Sequence, residues 1–302
     1  MEPGTQDSLI ERPDGAQLRV IQMGQPLAEG GLAILILDGI GCSGWAFERI
    51  LPTLAAEFPV IFVHHRGHGG APTPPRPWAL DMAVLADDAA AIVTQLGAGR
   101  VVAVGFSMGF QVALELCRRH PTLVAGLVSI AGAGGRVLDN FLRTKAFSFV
   151  LPVLTLSARV AGEWTQKVWK TLTRSTLAHE IALRFQVNAD VLNPADLDLY
   201  ARQISQVDPE LFIELLAAAH RHDAADLFPR IDIPTRVLAG ARDSFVPLET
   251  QRAMAFAIPD VQWRVFPEAT HALPAEFPER VSAELLDLVR EVAGRKALAS
   301  AT

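Results

Sequence analysis

A serine between glycines, Gly105-Phe106-Ser107-Met108-Gly109, follows the apolar run Val101 to Val104 and leads into Met108 to Arg119, where apolar residues recur at helical spacing. Gly-x-Ser-x-Gly between a strand and a helix is a nucleophile elbow: a sharp turn whose glycines admit close backbone and whose hydroxyl points away from the sheet. A hydroxyl attacks a carbonyl only when a base takes its proton and a carboxylate orients that base. With an elbow of this kind, acid and base follow the serine in that order.

The order excludes His64, His65 and His68, and His120 ends the elbow's own helical segment. His271 follows the apolar run Val261 to Phe266 in a loop before the last helical segment, where the base belongs. Asp243, in Gly240-Ala241-Arg242-Asp243 directly after Thr235 to Ala239, is the best-placed acid. Asp232 and Asp260 precede strands and read as turn residues. A tetrahedral intermediate also needs N–H donors for its oxyanion. Met108 supplies one, directly after the nucleophile, and Ile40, in the glycine-rich loop Asp38 to Trp45, is the candidate for the other.

The elements that must position these residues alternate. Gln17 to Ile21 pairs with Ser8 to Glu11 across the turn Pro13-Asp14-Gly15 as a hairpin. Apolar runs at Leu32 to Leu37, Val60 to Val63, Val101 to Val104, Leu123 to Ile130, Thr235 to Ala239 and Val261 to Phe266 suit strands buried on both faces. Helical patterns lie between them at Asp81 to Leu96, Met108 to Arg119, Leu248 to Ala257 and Pro278 to Val292. This predicts an α/β fold with a doubly wound, mostly parallel, eight-stranded sheet. From about Gly134 to His222 helix-like segments, such as Arg159 to Thr173 and Pro209 to His220, follow one another without a strong strand. We therefore expect a core of residues 1–134 and 222–302 and a helical cap of 135–221 over the carboxyl ends of the strands, where such sheets bind ligands. A separate helical domain joined by Gly132-Ala133-Gly134-Gly135 is the alternative.

The motifs together resemble the α/β-hydrolase superfamily over nearly the whole chain, in its capped esterase, lipase and C-C hydrolase branch. The resemblance implies Ser107, Asp243 and His271 as catalytic residues, Ile40 and Met108 as oxyanion donors, and no cofactor. His64-His65-Arg66-Gly67-His68-Gly69 matches the family's Asp-x-Arg-Gly-x-Gly with His64 for Asp, and Asp38 stands where His usually opens the oxyanion loop. An ionised carboxylate there would raise the energy of a nearby oxyanion unless paired or turned away. Arg66 is one candidate partner, and bracing of the loop by backbone hydrogen bonds is the expected role of Asp38. The elbow also resembles that of cofactor-free haloperoxidases and perhydrolases of the same fold.

The expected reaction is acyl-enzyme hydrolysis of an ester of a small to medium hydrophobic substrate. C-C bond, lactone or perhydrolytic chemistry by the same residues is the alternative, as is a ligand-binding protein without catalysis. A net charge of -6 without a Lys/Arg run argues against nucleic acid. The longest nearly uncharged apolar stretch, Ala146 to Ala158, is too short for a membrane span. No signal peptide is readable, so the cytoplasm is expected. Cys42 reads as packing and Cys117 as helix core, with no metal spacing between them. His220-Arg221-His222-Asp223 reads as a solvated helix end, and Phe141 to Leu156, Trp164 and Trp169 as pocket lining or cap packing.

Overall fold

In the computed structural model, residues 4–136, 165–173, 175 and 187–299 are described. Eight strands form one sheet: β1 Gln6–Glu11, β2 Gln17–Met23, β3 Gly31–Leu37, β4 Val60–Val63, β5 Ala98–Phe106, β6 Val124–Ile130, β7 Thr235–Gly240 and β8 Gln262–Phe266. They lie in the order β1-β2-β4-β3-β5-β6-β7-β8. β2 is antiparallel to β1 and to β4, and every other pairing is parallel.

Unbroken apolar runs make the central strands because both faces are covered. Ala33, Leu35, Leu37, Val101 and Ala103 pack into one buried cluster with α2, Met82–Gln95, and α3, Met108–Arg119. Ile34, Ile36, Val102 and Val104 alternate into a second, with α1, Leu51–Ala55, and the carboxyl-terminal helix Pro278–Ala299. The period-two switch along each strand is what a two-faced core requires.

Between β6 and β7 come a helical stretch at 165–173, α4, Pro194–Ile204, and α5, Pro209–Arg221. Each of the latter two starts with Pro behind an acceptor cap: Asn193 accepts from Ala195 N–H, and Asp208 from Glu210 and Leu211 N–H. α5 returns to the core through Leu211 and Leu215, both fully buried. The ends of this stretch meet where Gly135 pairs antiparallel with Asp223. The last helices are α6, Leu248–Phe256, α7, Leu273–Glu276, and α8, Pro278–Ala299. α8 runs beyond the expected Val292, past Gly294, to Ala299. Residues Phe141 to Leu156 and Trp164 fall outside the described residues.

Candidate active site

The register fixes the neighbourhood. Leu37, the end of β3, pairs with Gly105 of β5, and Gly105 with Ser129 of β6. Gly240, the end of β7, pairs with Phe266, the end of β8. The loops that carry Asp38 to Trp45, Ser107, Asp243 and His271 therefore all leave the same edge of the sheet.

Ser107 has φ 52°, the left-handed region. A side chain on Gly105 would lie 2.4 Å from the Phe110 backbone, and one on Gly109 2.0 Å from the Leu37 carbonyl oxygen. Glycine is thus required on both sides, so that α3 can start against β3 and β5. Ser107 Oγ lies 3.0 Å from His271 Nε2, and His271 Nδ1 lies 2.9 Å from Asp243 Oδ2. The imidazole is held between the rings of Phe106 and Phe245, at 5.4 and 5.0 Å. An Nδ1–H donated to the carboxylate leaves Nε2 free to accept the serine proton.

Asp243 is buried, and its Oδ1 accepts the N–H groups of Phe245 and Val246 at 2.8 and 2.9 Å. Gln251 of α6 donates to Asp243 Oδ2 at 3.3 Å and to the Val246 carbonyl at 2.8 Å. Glu276 of α7 accepts from Thr270 N–H, Thr270 Oγ1–H and Asn188 N–H at 2.8, 2.6 and 2.6 Å, and so fixes the residue before His271. Burial pushes the Glu276 carboxyl above its ordinary range. The sequence reading missed both Gln251 and Glu276. Replacing Gln251 with Leu strands the buried Val246 carbonyl and is expected to cost about 1–3 kcal/mol of stability, measured as a lower urea midpoint.

The loop after β3 is spoken for at almost every donor. Gly39 and Gly44 N–H bond the two oxygens of Asp38, each at 2.8 Å. Gly41 N–H bonds His68 Nε2 at 3.0 Å, and Cys42 N–H bonds the Gly39 carbonyl. Ser43 and Trp45 N–H share Gln203 Oε1, each at 3.2 Å. Among the described residues from Gly39 to Trp45, Ile40 alone keeps an unpartnered backbone N–H, and Ile40 lines the cavity beside Ser107. Met108 also lines it, and as first residue of α3 it has no earlier carbonyl within the helix to bond.

Arg66 is not the partner of Asp38. Its guanidinium is engaged by Asp88, at 2.7 and 3.0 Å, and by Asp14, at 2.5 Å. The buried Asp88 and the half-exposed Asp14 thus share the buried guanidinium. Asp38 instead braces the loop through backbone N–H groups, and burial pushes its carboxyl up to about 7. At the helix end His220 to Asp223, Arg221 and Asp223 are exposed, but His222 is not solvated: its Nε2 pairs with Glu115 at 3.0 Å, with only 10% of either side chain exposed. Cys42 is buried and accepts from Trp45 Nε1 at 3.3 Å. Among the described residues no group of three or more His, Cys, Asp and Glu could hold a metal ion, and no helix is long and apolar enough to cross a membrane.

A cavity of about 310 Å³ opens over Ser107 and His271, with Trp45, Val187, Ile204, Phe212 and Leu216 among its walls. Among the described residues no Asp, Glu, Lys or Arg lines it. Trp169 stands behind this wall, 5.1 Å from the Phe212 ring, with its Nε1–H on the Ile204 carbonyl.

A family model of the alpha/beta hydrolase fold matches residues 33–278, and the chain belongs to that family. It is 28% identical over 245 residues to a pimeloyl-(acyl-carrier protein) methyl ester esterase of Chromobacterium violaceum, covering 80% of this chain and 88% of the relative. A thermophilic esterase from Thermogutta terrifontis superposes with a TM-score of 0.74 at 26% identity, over 95% of this chain and 99% of that one. An enol-lactonase from Burkholderia xenovorans shares the fold at a TM-score of 0.74 and 19% identity, over 92% of this chain and 98% of that one.

Proposed function

We propose that the protein is a serine hydrolase that cleaves a carboxylic ester, or a related acyl bond, of a small to medium hydrophobic substrate. The observation that carries this reading is one imidazole within hydrogen-bond distance of both Ser107 Oγ and Asp243, facing an apolar cavity. His271 Nε2 takes the Ser107 proton as Oγ attacks the carbonyl carbon, and the carbonyl π electrons move to oxygen. The N–H groups of Ile40 and Met108 hold that oxyanion while Asp243 balances the imidazolium. The tetrahedral intermediate collapses, His271 passes its proton to the departing alkoxide, and the alcohol leaves an acyl-Ser107 ester. Water, deprotonated by His271, repeats the sequence and releases the acid.

In this reading residues 135–221 are the cap, and its α4 and α5 supply the wall that meets the substrate's apolar part. The described walls carry no Asp, Glu, Lys or Arg and would leave a charged acyl group desolvated and unpaired, so neutral chains are selected. The similarity to proteins named as ester hydrolases supports the same chemistry. The test is a fluorophosphonate probe followed by peptide mass mapping, then p-nitrophenyl esters of graded acyl length. We expect the mass shift on Ser107 and a maximum of kcat/KM at short to medium chains. Turnover of esters by a protein that carries no label on Ser107 would refute the assignment.

A further inference from the structure

The oxyanion loop is held from two directions. Asp38, His65 and His68 grip its inner side: the carbonyl of Asp38 accepts from His65 Nε2 at 2.9 Å, while His68 accepts from Gly41. The outer side is held from 160 residues away in sequence by Gln203, near the end of α4. One amide oxygen accepts both Ser43 N–H and Trp45 N–H, and since two donors converge on it the side chain can present only its oxygen there. These two N–H groups flank Gly44, whose N–H is held from the inside by Asp38. Gly44 has φ 102° and Gly41 φ 70°, so the loop's glycines permit backbone rotations that other residues would resist.

We infer that Gln203 is a positioning residue for the reaction proposed above: by clamping Ser43 and Trp45 it holds the loop in the conformation that aims Ile40 N–H at the oxyanion. The inference rests on that reading of the site. Its argument is geometric. An oxyanion donor stabilises the transition state only if it lies within hydrogen-bond reach of a charge that the ground state lacks. The Ile40 N–H has no partner of its own, so its direction is set by what holds its neighbours and by the weak bond its carbonyl accepts from Cys42 Sγ at 3.6 Å. Without the amide, the only backbone N–H of the 43–45 end still bonded is that of Gly44, and the side-chain contacts of Ser43 Oγ with Gly69 N–H at 2.9 Å and of Trp45 Nε1 with Cys42 do not fix the Ser43 and Trp45 peptide planes. The same stretch of α4 reaches the core by other contacts, Tyr200 against the Trp45 ring at 5.0 Å and Asp196 with Arg49 at 2.7 Å, so α4 stays docked without the amide.

The experiment compares Gln203→Met, close in shape but without the acceptor, with Asp196→Asn, which weakens α4 docking without touching the loop. Both are assayed on a p-nitrophenyl ester and with an alkylboronic acid, which forms a tetrahedral adduct on the serine. Gln203→Met is expected to lower kcat by about 10- to 100-fold with KM within about twofold, and to weaken the boronic acid by a similar factor. Asp196→Asn is expected to keep both within about twofold. Gln203→Ala, a truncation of a half-buried helix side chain, carries the same expectation should the Met variant fail to fold. Equal losses in the Gln203 and Asp196 variants, or a folded Gln203 variant with full kcat, would overturn the inference while leaving the hydrolase reading standing. A wild-type protein with neither ester turnover nor a fluorophosphonate label would overturn both.

Discussion

Ser107→Ala is expected to lower kcat on p-nitrophenyl esters by about 10⁴- to 10⁶-fold while leaving the fold and KM nearly unchanged. The substitution removes one atom, Oγ, whose hydrogen-bond partner in the structure is His271 Nε2. Alanine keeps the Cβ and tolerates φ 52° about as poorly as serine does, so the elbow keeps its strain and its shape. In the proposed mechanism the loss comes from chemistry: without Oγ no acyl-enzyme forms, and a water placed by His271 would have to attack directly. Residual catalysis would come from the Ile40 and Met108 donors and from binding alone. Circular dichroism and a thermal melt check the fold. A folded variant that kept a tenth of the activity would mean that another nucleophile does the work.

The sheet was legible because each central strand is a short apolar run bounded by Gly, Pro or Asp. Such a run pairs on both edges and packs on both faces, so local composition and tertiary environment agree. Ser107, Asp243 and His271 could be picked out as neighbours for a related reason: each follows a strand directly, and parallel strands end at one edge. What stayed hidden were side chains whose partners are backbone groups far along the chain. Gln203 reads as a polar helix residue until Ser43 and Trp45 are seen beside it, and Gln251 and Glu276 read as ordinary helix polars. The error over Arg66 has the same origin, since Asp88 and Asp14 come near it only in the folded state. A charge in a glycine-rich motif says that it is paired, and says nothing of with whom.

Stability is expected to fall steeply as the pH drops from about 6.5 to 4.5, by about 2 kcal/mol per pH unit. The cause lies beneath the oxyanion loop. His64, His65 and His68 are buried there, and burial pushes them from 6.5 down to about 3, 4 and 4. His68 must also be neutral to work, since its Nδ1–H donates to the Arg66 carbonyl while its Nε2 accepts Gly41 N–H. His64 has neither ring nitrogen hydrogen-bonded, lies against the Phe62 ring at 4.3 Å, and has Arg19 nearby to disfavour its charge and Asp7 to favour it. In the unfolded chain all three take up protons below about pH 6.5. Between there and pH 4 the unfolded state therefore binds up to three protons more than the native state, and acid pulls the equilibrium toward unfolding. Asp38 acts in the opposite sense. With its carboxyl raised to about 7, the native state holds a proton that the unfolded state releases down to about pH 4, so this group alone gains stability as the pH falls. One proton against three leaves a net loss toward acid, and the contribution of this cluster levels off above about pH 7. Urea midpoints across pH 4.5–7.5 measure the gradient, and His64→Leu, which removes one of the three, is expected to reduce it by about half. An unchanged gradient in that variant would mean that His64 is already solvated or charged in the native protein.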